Sequence, residues 1–67
     1  MVKEVDEMGP IEALELAISK EIEAIKMYQK YAVDYPVIKE TFWFLADEEQ
    51  KHKQLLEQKK VELTKPY

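Results

Sequence analysis

Glu49 and His52 are the residues of this chain whose types and spacing best suit the binding of a metal ion. They are three positions apart in Glu49-Gln50-Lys51-His52, so a helix places them on neighbouring positions of one face. Carboxylate oxygens and imidazole nitrogens are ligands for iron, manganese and zinc. A third carboxylate, Glu21, lies in the first half of the chain. The three residues predict a carboxylate-rich metal site, provided that the fold brings them together.

Two stripes with helical spacing carry these residues. In each half of the chain, apolar positions recur at alternating steps of three and four, which keeps side chains on one side of a helix. Glu21 is the carboxylate of the first stripe, and Glu49 and His52 interrupt the second. The first stripe is Ile11, Leu14, Ile18, Glu21, Ile25, Tyr28, Ala32 and Tyr35, and the second is Ile38, Phe42, Leu45, Glu49, His52, Leu56, Lys59 and Leu63.

The strong break between the stripes is Asp34-Tyr35-Pro36. Because proline disfavours a helical conformation in the preceding residue and suits the first helical position, we predict helices at about residues 10–34 and 36–62. So short a connection makes the helices an antiparallel hairpin. Glu21 lies about as far before the turn as Glu49 and His52 lie after it. At 1.5 Å per residue the three are roughly 21 to 26 Å from the turn, at one level of the hairpin.

Composition limits the alternatives. The chain has 67 residues, 46% of them hydrophobic and 36% charged, which predicts one small amphipathic helical domain over residues 1–67 with a flexible N-terminus and C-terminal tail. It has no cysteine, so a disulfide or thiolate site is excluded. The net charge of −4 argues against nucleic-acid binding. No apolar run reaches membrane-span length and the first residues do not form a signal peptide, so we expect no membrane association and a cytoplasmic location.

A lone hairpin would leave its apolar face half open, and three polar groups in that face are costly unless they pair or bind a cation. Two hairpins packed face to face bury both faces as a four-helix bundle. They also bring together four carboxylates and two histidines, the ligand set of di-iron carboxylate bundles. The sequence thus predicts an all-α homodimer or higher homo-oligomer with one di-iron centre per dimer. The donor set suits iron or manganese, and zinc stays an alternative.

Tyr28, one heptad after Glu21, has two interpretations. It is either a core residue or a hydrogen-bond donor to a ligand carboxylate across the bundle, in the second coordination shell of the metal. Glu49 and His52 also have a structural alternative, in which they form a buried hydrogen-bonded pair or face solvent. In that case the protein is a non-enzymatic helical dimerisation module whose polar seam fixes the register. An iron-binding module with little turnover is a third alternative.

The chain resembles the rubrerythrin-like branch of the ferritin-like superfamily. The resemblance rests on Glu21 with Tyr28 seven residues later and on the segment Ala46-Asp47-Glu48-Glu49-Gln50-Lys51-His52. It implies a di-iron protein that oxidises Fe²⁺ with O₂ or peroxide, as a ferroxidase or a rubrerythrin-like oxidoreductase. It further implies that Glu21 and His52 are terminal iron ligands and that Glu49 is a bridging ligand.

The chain also departs from the pattern of the family that it resembles. Rubrerythrins and ferritins have four such helices on one chain, whereas this chain has two. It therefore resembles half-length members that build the bundle by dimerising, such as encapsulated ferritins, whose partner is a protein shell. The tail after Lys60 has no clear targeting peptide for a shell. A cysteine-ligated rubredoxin domain is excluded here, which argues against peroxidase activity fed by an attached electron donor.

Overall fold

Two long helices joined by a tight turn form the fold in a computed structural model, which describes residues 8–65. Helix α1 spans Pro10–Asp34 and helix α2 spans Lys39–Thr64, with a 3-10 turn over Pro36–Ile38 between them. The helices run antiparallel: the Lys60 ammonium, near the end of α2, lies 3.8 Å from the Glu15 carboxylate, near the start of α1. The predicted all-α hairpin is confirmed, and no strand occurs in residues 8–65. Its pairing with a second hairpin stays a prediction.

Proline residues set the start of α1 and the turn. Gly9 is extended and Pro10 is the first helical residue, where its missing N–H removes no hydrogen bond. At the other end, Tyr35 leaves the helix with φ −126° and ψ 69°, as expected for a residue before proline. Pro36 opens the short 3-10 turn rather than α2, so α2 begins at Lys39, three residues later than the sequence predicts.

The core between the helices is small. Ile25, Ala32 and Ala46 are its buried residues among those described. Phe42 joins them from α2, with its ring centroid 5.3 Å from that of Tyr31 and 6.2 Å from that of Tyr28. Alanine at two buried positions lets the helices approach closely, but it also limits how much apolar surface two helices can bury. Much of the apolar surface of the chain therefore stays exposed.

The face of α2 that contacts α1 is rotated relative to the predicted stripe. Phe42, Leu45, Glu49 and Leu56 are at least half buried, as the stripe requires, but Ile38, His52, Lys59 and Leu63 are exposed. Ala46, Lys53 and Lys60 take their places against α1. The stripe thus runs along the border between the seam and one open side of the hairpin. A single hairpin therefore covers only part of the stripe.

Two further predictions concern the flexible termini and the absence of a membrane span. The predicted flexible termini fall largely on residues 1–7 and 66–67, which lie outside the described residues. Within residues 8–65, no helix has the length and apolar content needed to cross a membrane.

Candidate metal centre

Glu21, Glu49 and His52 meet at mid-height of the hairpin. Glu21 is close to the middle of α1, and Glu49 and His52 are close to the middle of α2. One ligand atom from each of the three lies within 4.8 Å of the others. The antiparallel packing therefore brings together all three residues that the sequence singles out as ligands. No other histidine, aspartate or glutamate in residues 8–65 joins them in such a cluster.

The imidazole of His52 lies between the two carboxylates without a hydrogen bond to either. Its Nδ1 is 3.7 Å from Oε2 of Glu21 and 3.7 Å from Oε2 of Glu49, beyond the range of an N–H···O hydrogen bond. Metal–ligand bonds to these atoms are about 2.1 Å, so two ligands of one ion can be up to about 4.2 Å apart. The two distances from His52 to the carboxylates are therefore compatible with a shared cation.

Glu21 has a buried carboxylate oxygen that accepts no hydrogen bond. This atom, Oε2, is fully shielded from solvent and has no donor within the described part of the chain. A buried carboxylate oxygen without a partner is unfavourable, because it has lost its hydration and gained nothing in return. The same oxygen is the one nearest to His52. A cation bound between Glu21, Glu49 and His52 would satisfy it, so the residues present fit a metal site.

The raised pKa of Glu21 agrees with a site that is suited to a cation. Its pKa is raised above 4.5, first because its protonated form shares a hydrogen bond with Glu49, and then because burial and the negative charge of Glu49 disfavour its own charge. His52 acts in the opposite direction. Without a cation, the hairpin thus holds two carboxylates closer together than is favourable for both to be charged.

The site is open on one side of the hairpin. The side chains of Glu21 and Glu49 are only 22% and 21% exposed, whereas His52 is 57% exposed. His52 therefore stands at the rim of the cluster, and the carboxylates form its floor. Three protein ligands with one open side leave coordination positions for further ligands, as open catalytic sites do.

Comparison with known proteins identifies the family. The sequence profile described as rubrerythrin matches residues 12–65, which include α2 and nearly all of α1. The chain belongs to the rubrerythrin family. No curated protein and no solved structure gave a match.

Membership of the rubrerythrin family supports a ferritin-like fold and iron as the metal, since its members typically bind iron. The matched segment contains Glu21, Glu49 and His52. Nothing in the family match supports the manganese and zinc alternatives. That the three residues are iron ligands stays a prediction, which the rubrerythrin-family match and the geometry of the cluster both favour.

Tyr28 packs in the hairpin and does not contact the cluster by a hydrogen bond. Its ring stacks on Phe42 with an angle of 24° between the planes. Within residues 8–65, no hydrogen bond joins Tyr28 to Glu21, Glu49 or His52. The contacts of Tyr28 within one hairpin are those of a core residue. The predicted hydrogen bond to a carboxylate concerns a second hairpin across the bundle and stays a prediction.

Sequence reasoning missed Lys53, which lies on the seam one helical turn after Glu49. Its side chain is 24% exposed, and its ammonium is 3.9 Å from the carboxylate of Glu57. The ammonium therefore forms an ion pair within α2. A heptad that runs through Phe42, Ala46, Glu49 and Lys53 would have predicted the position of Lys53 on the seam. The apolar pattern instead indicated the neighbouring stripe, which runs through His52.

Proposed function

We propose that two copies of this hairpin form a di-iron centre that oxidises Fe²⁺ with O₂ or peroxide. The observation that carries the proposal is the buried, unpaired oxygen of Glu21, within 4.8 Å of ligand atoms of Glu49 and His52. By the rubrerythrin resemblance, Glu21 and His52 would be terminal ligands and Glu49 would be the ligand shared by the two ions. Each hairpin supplies two carboxylates and one imidazole, so a pair supplies the six ligands of a di-iron carboxylate bundle.

The reaction is a two-electron transfer from two ferrous ions. With hydrogen peroxide, each Fe²⁺ loses one electron, the O–O bond breaks, and two protons complete two water molecules. Carboxylates favour the ferric product because four negative charges stabilise the higher metal charge. The hairpin residues contribute by holding two substrate ions at one site, which removes the need for a three-body encounter.

A second copy has support from the apolar surface that one hairpin leaves open. Eleven large hydrophobic side chains are exposed among the described residues, and two of them, Ile38 and Leu63, belong to the same stripe of α2 as the exposed His52. An open, three-ligand site next to exposed apolar surface is the arrangement expected of a half-site. A cytoplasmic location and a surrounding protein shell stay predictions that rest on the sequence and the resemblance.

Anaerobic titration of the apo-protein with Fe²⁺, followed by a pulse of O₂ or peroxide, tests the proposal when mass in solution is measured in parallel. We expect one iron per chain in a dimer, and ferric absorbance after the pulse. His52→Ala and Glu49→Ala should lose iron uptake and oxidation. Glu23→Ala is the matched control, because Glu23 lies in the same helix as Glu21 but is exposed beside Lys20.

The alternatives give different outcomes. A folded dimer that takes up no iron would make the three residues structural and the protein a dimerisation module. Iron uptake without oxidation would make it an iron-binding module. Equal loss of activity from Glu23→Ala and His52→Ala would contradict the assignment of Glu21, Glu49 and His52 as the ligands.

A further inference from the structure

Four aromatic side chains form a continuous row between the level next to the candidate ligands and the turn. The ring of Phe42 contacts those of Tyr28 and Tyr31, with centroid separations of 6.2 Å and 5.3 Å. Tyr31 also contacts Tyr35, with 6.0 Å between the ring centroids. All three separations are within the range of direct ring contact. We call these four residues the aromatic row.

One end of the row lies towards the metal cluster, and the other reaches solvent. On α1, Tyr28 follows Glu21 by seven residues. On α2, Phe42 precedes Glu49 by seven residues. This end of the row is therefore about 10 Å from the ligands along the helices. Helical side chains lean towards the N-terminus of their helix, which on α1 is the direction from Tyr28 to Glu21. At the turn, Tyr35 is 53% exposed.

Tyrosine rings can carry electrons, because a phenol releases an electron and its hydroxyl proton together. Phenylalanine is far harder to oxidise, so Phe42 would bridge Tyr28 and Tyr31 without being oxidised itself. Iron oxidation by O₂ has a use for such electrons. Reduction of O₂ to two water molecules takes four electrons, and two ferrous ions supply two of them. Without a further source of electrons, the reaction stops at hydrogen peroxide.

We propose, on the basis of the proposed di-iron function, that the aromatic row conducts electrons from the turn to O₂ at the iron site. Tyr35 receives these electrons from a small hydrogen-atom donor such as a hydroquinone. Each hairpin of a pair supplies one electron through its own row. With the electrons of two Fe²⁺ and four protons, two of them from tyrosine hydroxyls, they convert O₂ to two water molecules. Each oxidised row is restored at Tyr35, where the O–H bond of the donor breaks, the phenol O–H bond forms and a semiquinone leaves.

The surface that follows Tyr35 has room for a donor of this size. A concave surface of about 330 Å³ is lined by residues 36–41, which come directly after Tyr35 in the sequence. Pro36, Val37 and Ile38 make half of its lining apolar, which suits an uncharged aromatic ring. Val37 is 92% exposed, so the donor reaches this surface from solvent. Electrons therefore enter the protein at the turn, without the donor entering the metal site.

Photo-oxidation of the apo-protein tests conduction along the row without iron. The chain has no cysteine, so V37C takes a single ruthenium polypyridyl label two residues from Tyr35. A flash with an added electron acceptor converts the label to an oxidant, and electron paramagnetic resonance of frozen samples detects tyrosyl radicals. We expect a radical component that Tyr28→Phe removes, which marks oxidation at the inner end of the row. Tyr31→Phe should lose the same component, because it interrupts the row but keeps the ring that contacts Phe42.

Trp43→Phe is the matched control for the radical measurement. Trp43 adjoins Phe42 in sequence and is 47% exposed, but within residues 8–65 it has no ring contact with the row. This variant should keep the radical component of Tyr28. Persistence of that component in Tyr31→Phe would overturn the row as the route.

Repeated additions of Fe²⁺ and O₂ in the presence of hydroquinone test electron entry at Tyr35. Ferric absorbance, hydroquinone oxidation and released hydrogen peroxide are measured together. Wild type and Trp43→Phe should oxidise hydroquinone and release little peroxide, whereas Tyr35→Phe should still form ferric product but lose hydroquinone oxidation and release peroxide instead. Equal peroxide yields in Tyr35→Phe and wild type would overturn electron entry at Tyr35. Wild-type protein that forms no ferric product would contradict the proposed function, and the radical measurement on the apo-protein would still decide whether the row conducts.

Discussion

At the scale of single residues, the site combines the carboxylate of Glu21, which is destabilising without a bound cation, with the exposed imidazole of His52. Glu21 is shielded and its Oε2 has no hydrogen bond, while His52 is 3.7 Å from it and 57% exposed. Groups that lower the stability of a fold without a ligand are typical of sites shaped for that ligand. The cluster therefore predicts opposite effects of one substitution on stability and on metal binding.

Glu21→Gln should make the apo-protein more stable at neutral pH while abolishing iron uptake. The folded-state pKa of Glu21 is raised, chiefly by the hydrogen bond that its protonated form shares with Glu49. The contribution of Glu21 to the stability of the fold is therefore fully present below the pKa that the group has in the unfolded chain. It is lost as the pH rises through the raised pKa of the folded state. The temperature of half-unfolding is measured in the presence of chelator at a series of pH values. As the pH rises from acid to neutral, this temperature should fall for wild type relative to that of Glu21→Gln. Glu23→Gln is the control, and a parallel pH dependence of Glu21→Gln and wild type would contradict the prediction.

Tyr28→Phe tests the predicted hydrogen bond across the bundle. The substitution keeps the ring that stacks on Phe42 and removes only the hydroxyl. If the hydroxyl donates to a ligand carboxylate of the second copy, iron affinity should fall about 10- to 100-fold with little change in unfolding temperature. Tyr31→Phe, whose ring also contacts Phe42, is the matched control. Equal iron affinities for the two variants and wild type would leave Tyr28 as a packing residue.

At the scale of the helices, packing depends on small side chains at the seam. Ala32 on α1 and Ala46 on α2 are 3% and 5% exposed. Ala46→Leu adds three carbon atoms at a position that is only 5% exposed, so the helices must separate or the side chain must adopt a strained rotamer. We expect a loss of about 1–3 kcal/mol in the free energy of unfolding, measured by denaturant titration.

Val33→Leu is the control for that measurement, because Val33 adjoins Ala32 in sequence but is largely exposed. Its free energy of unfolding should stay within about 0.5 kcal/mol of wild type. If Ala46→Leu were equally mild, Ala46 would not be at a close contact between the helices.

Much of the hairpin was accessible from the sequence because its signals are local. Tyr35-Pro36 places the turn by steric exclusion, and equal distances from that turn put Glu21 level with Glu49 and His52. The 3-10 turn and the late start of α2 at Lys39 depend on hydrogen bonds that no residue pattern marks. The rotation of the seam, with Lys53 inside and His52 outside, was missed because a periodic stripe indicates the average apolar direction and does not indicate which neighbour each residue contacts.

At the scale of the whole molecule, the chain has too little core for the surface it exposes. Three residues are buried among those described, against eleven large hydrophobic side chains left exposed. A domain of this size is marginally stable without oligomerisation or a bound metal. The proposed dimer supplies both, because one interface covers apolar surface and completes the metal site. Assembly and metal binding should therefore be thermodynamically linked.

That linkage predicts a large stabilisation by Fe²⁺ under anaerobic conditions. A ligand that binds only the folded protein adds about 2.7 kcal/mol at a concentration of 100 Kd, which for so small a domain raises the unfolding temperature by about 10 °C or more. Differential scanning calorimetry with Fe²⁺, and again after addition of chelator, measures the shift and its reversal. His52→Ala should show no shift, because it keeps the hairpin but lacks one ligand per chain. The shift should also grow with protein concentration, since metal-bound chains unfold from a dimer; a shift independent of concentration would mean that one hairpin binds the metal alone.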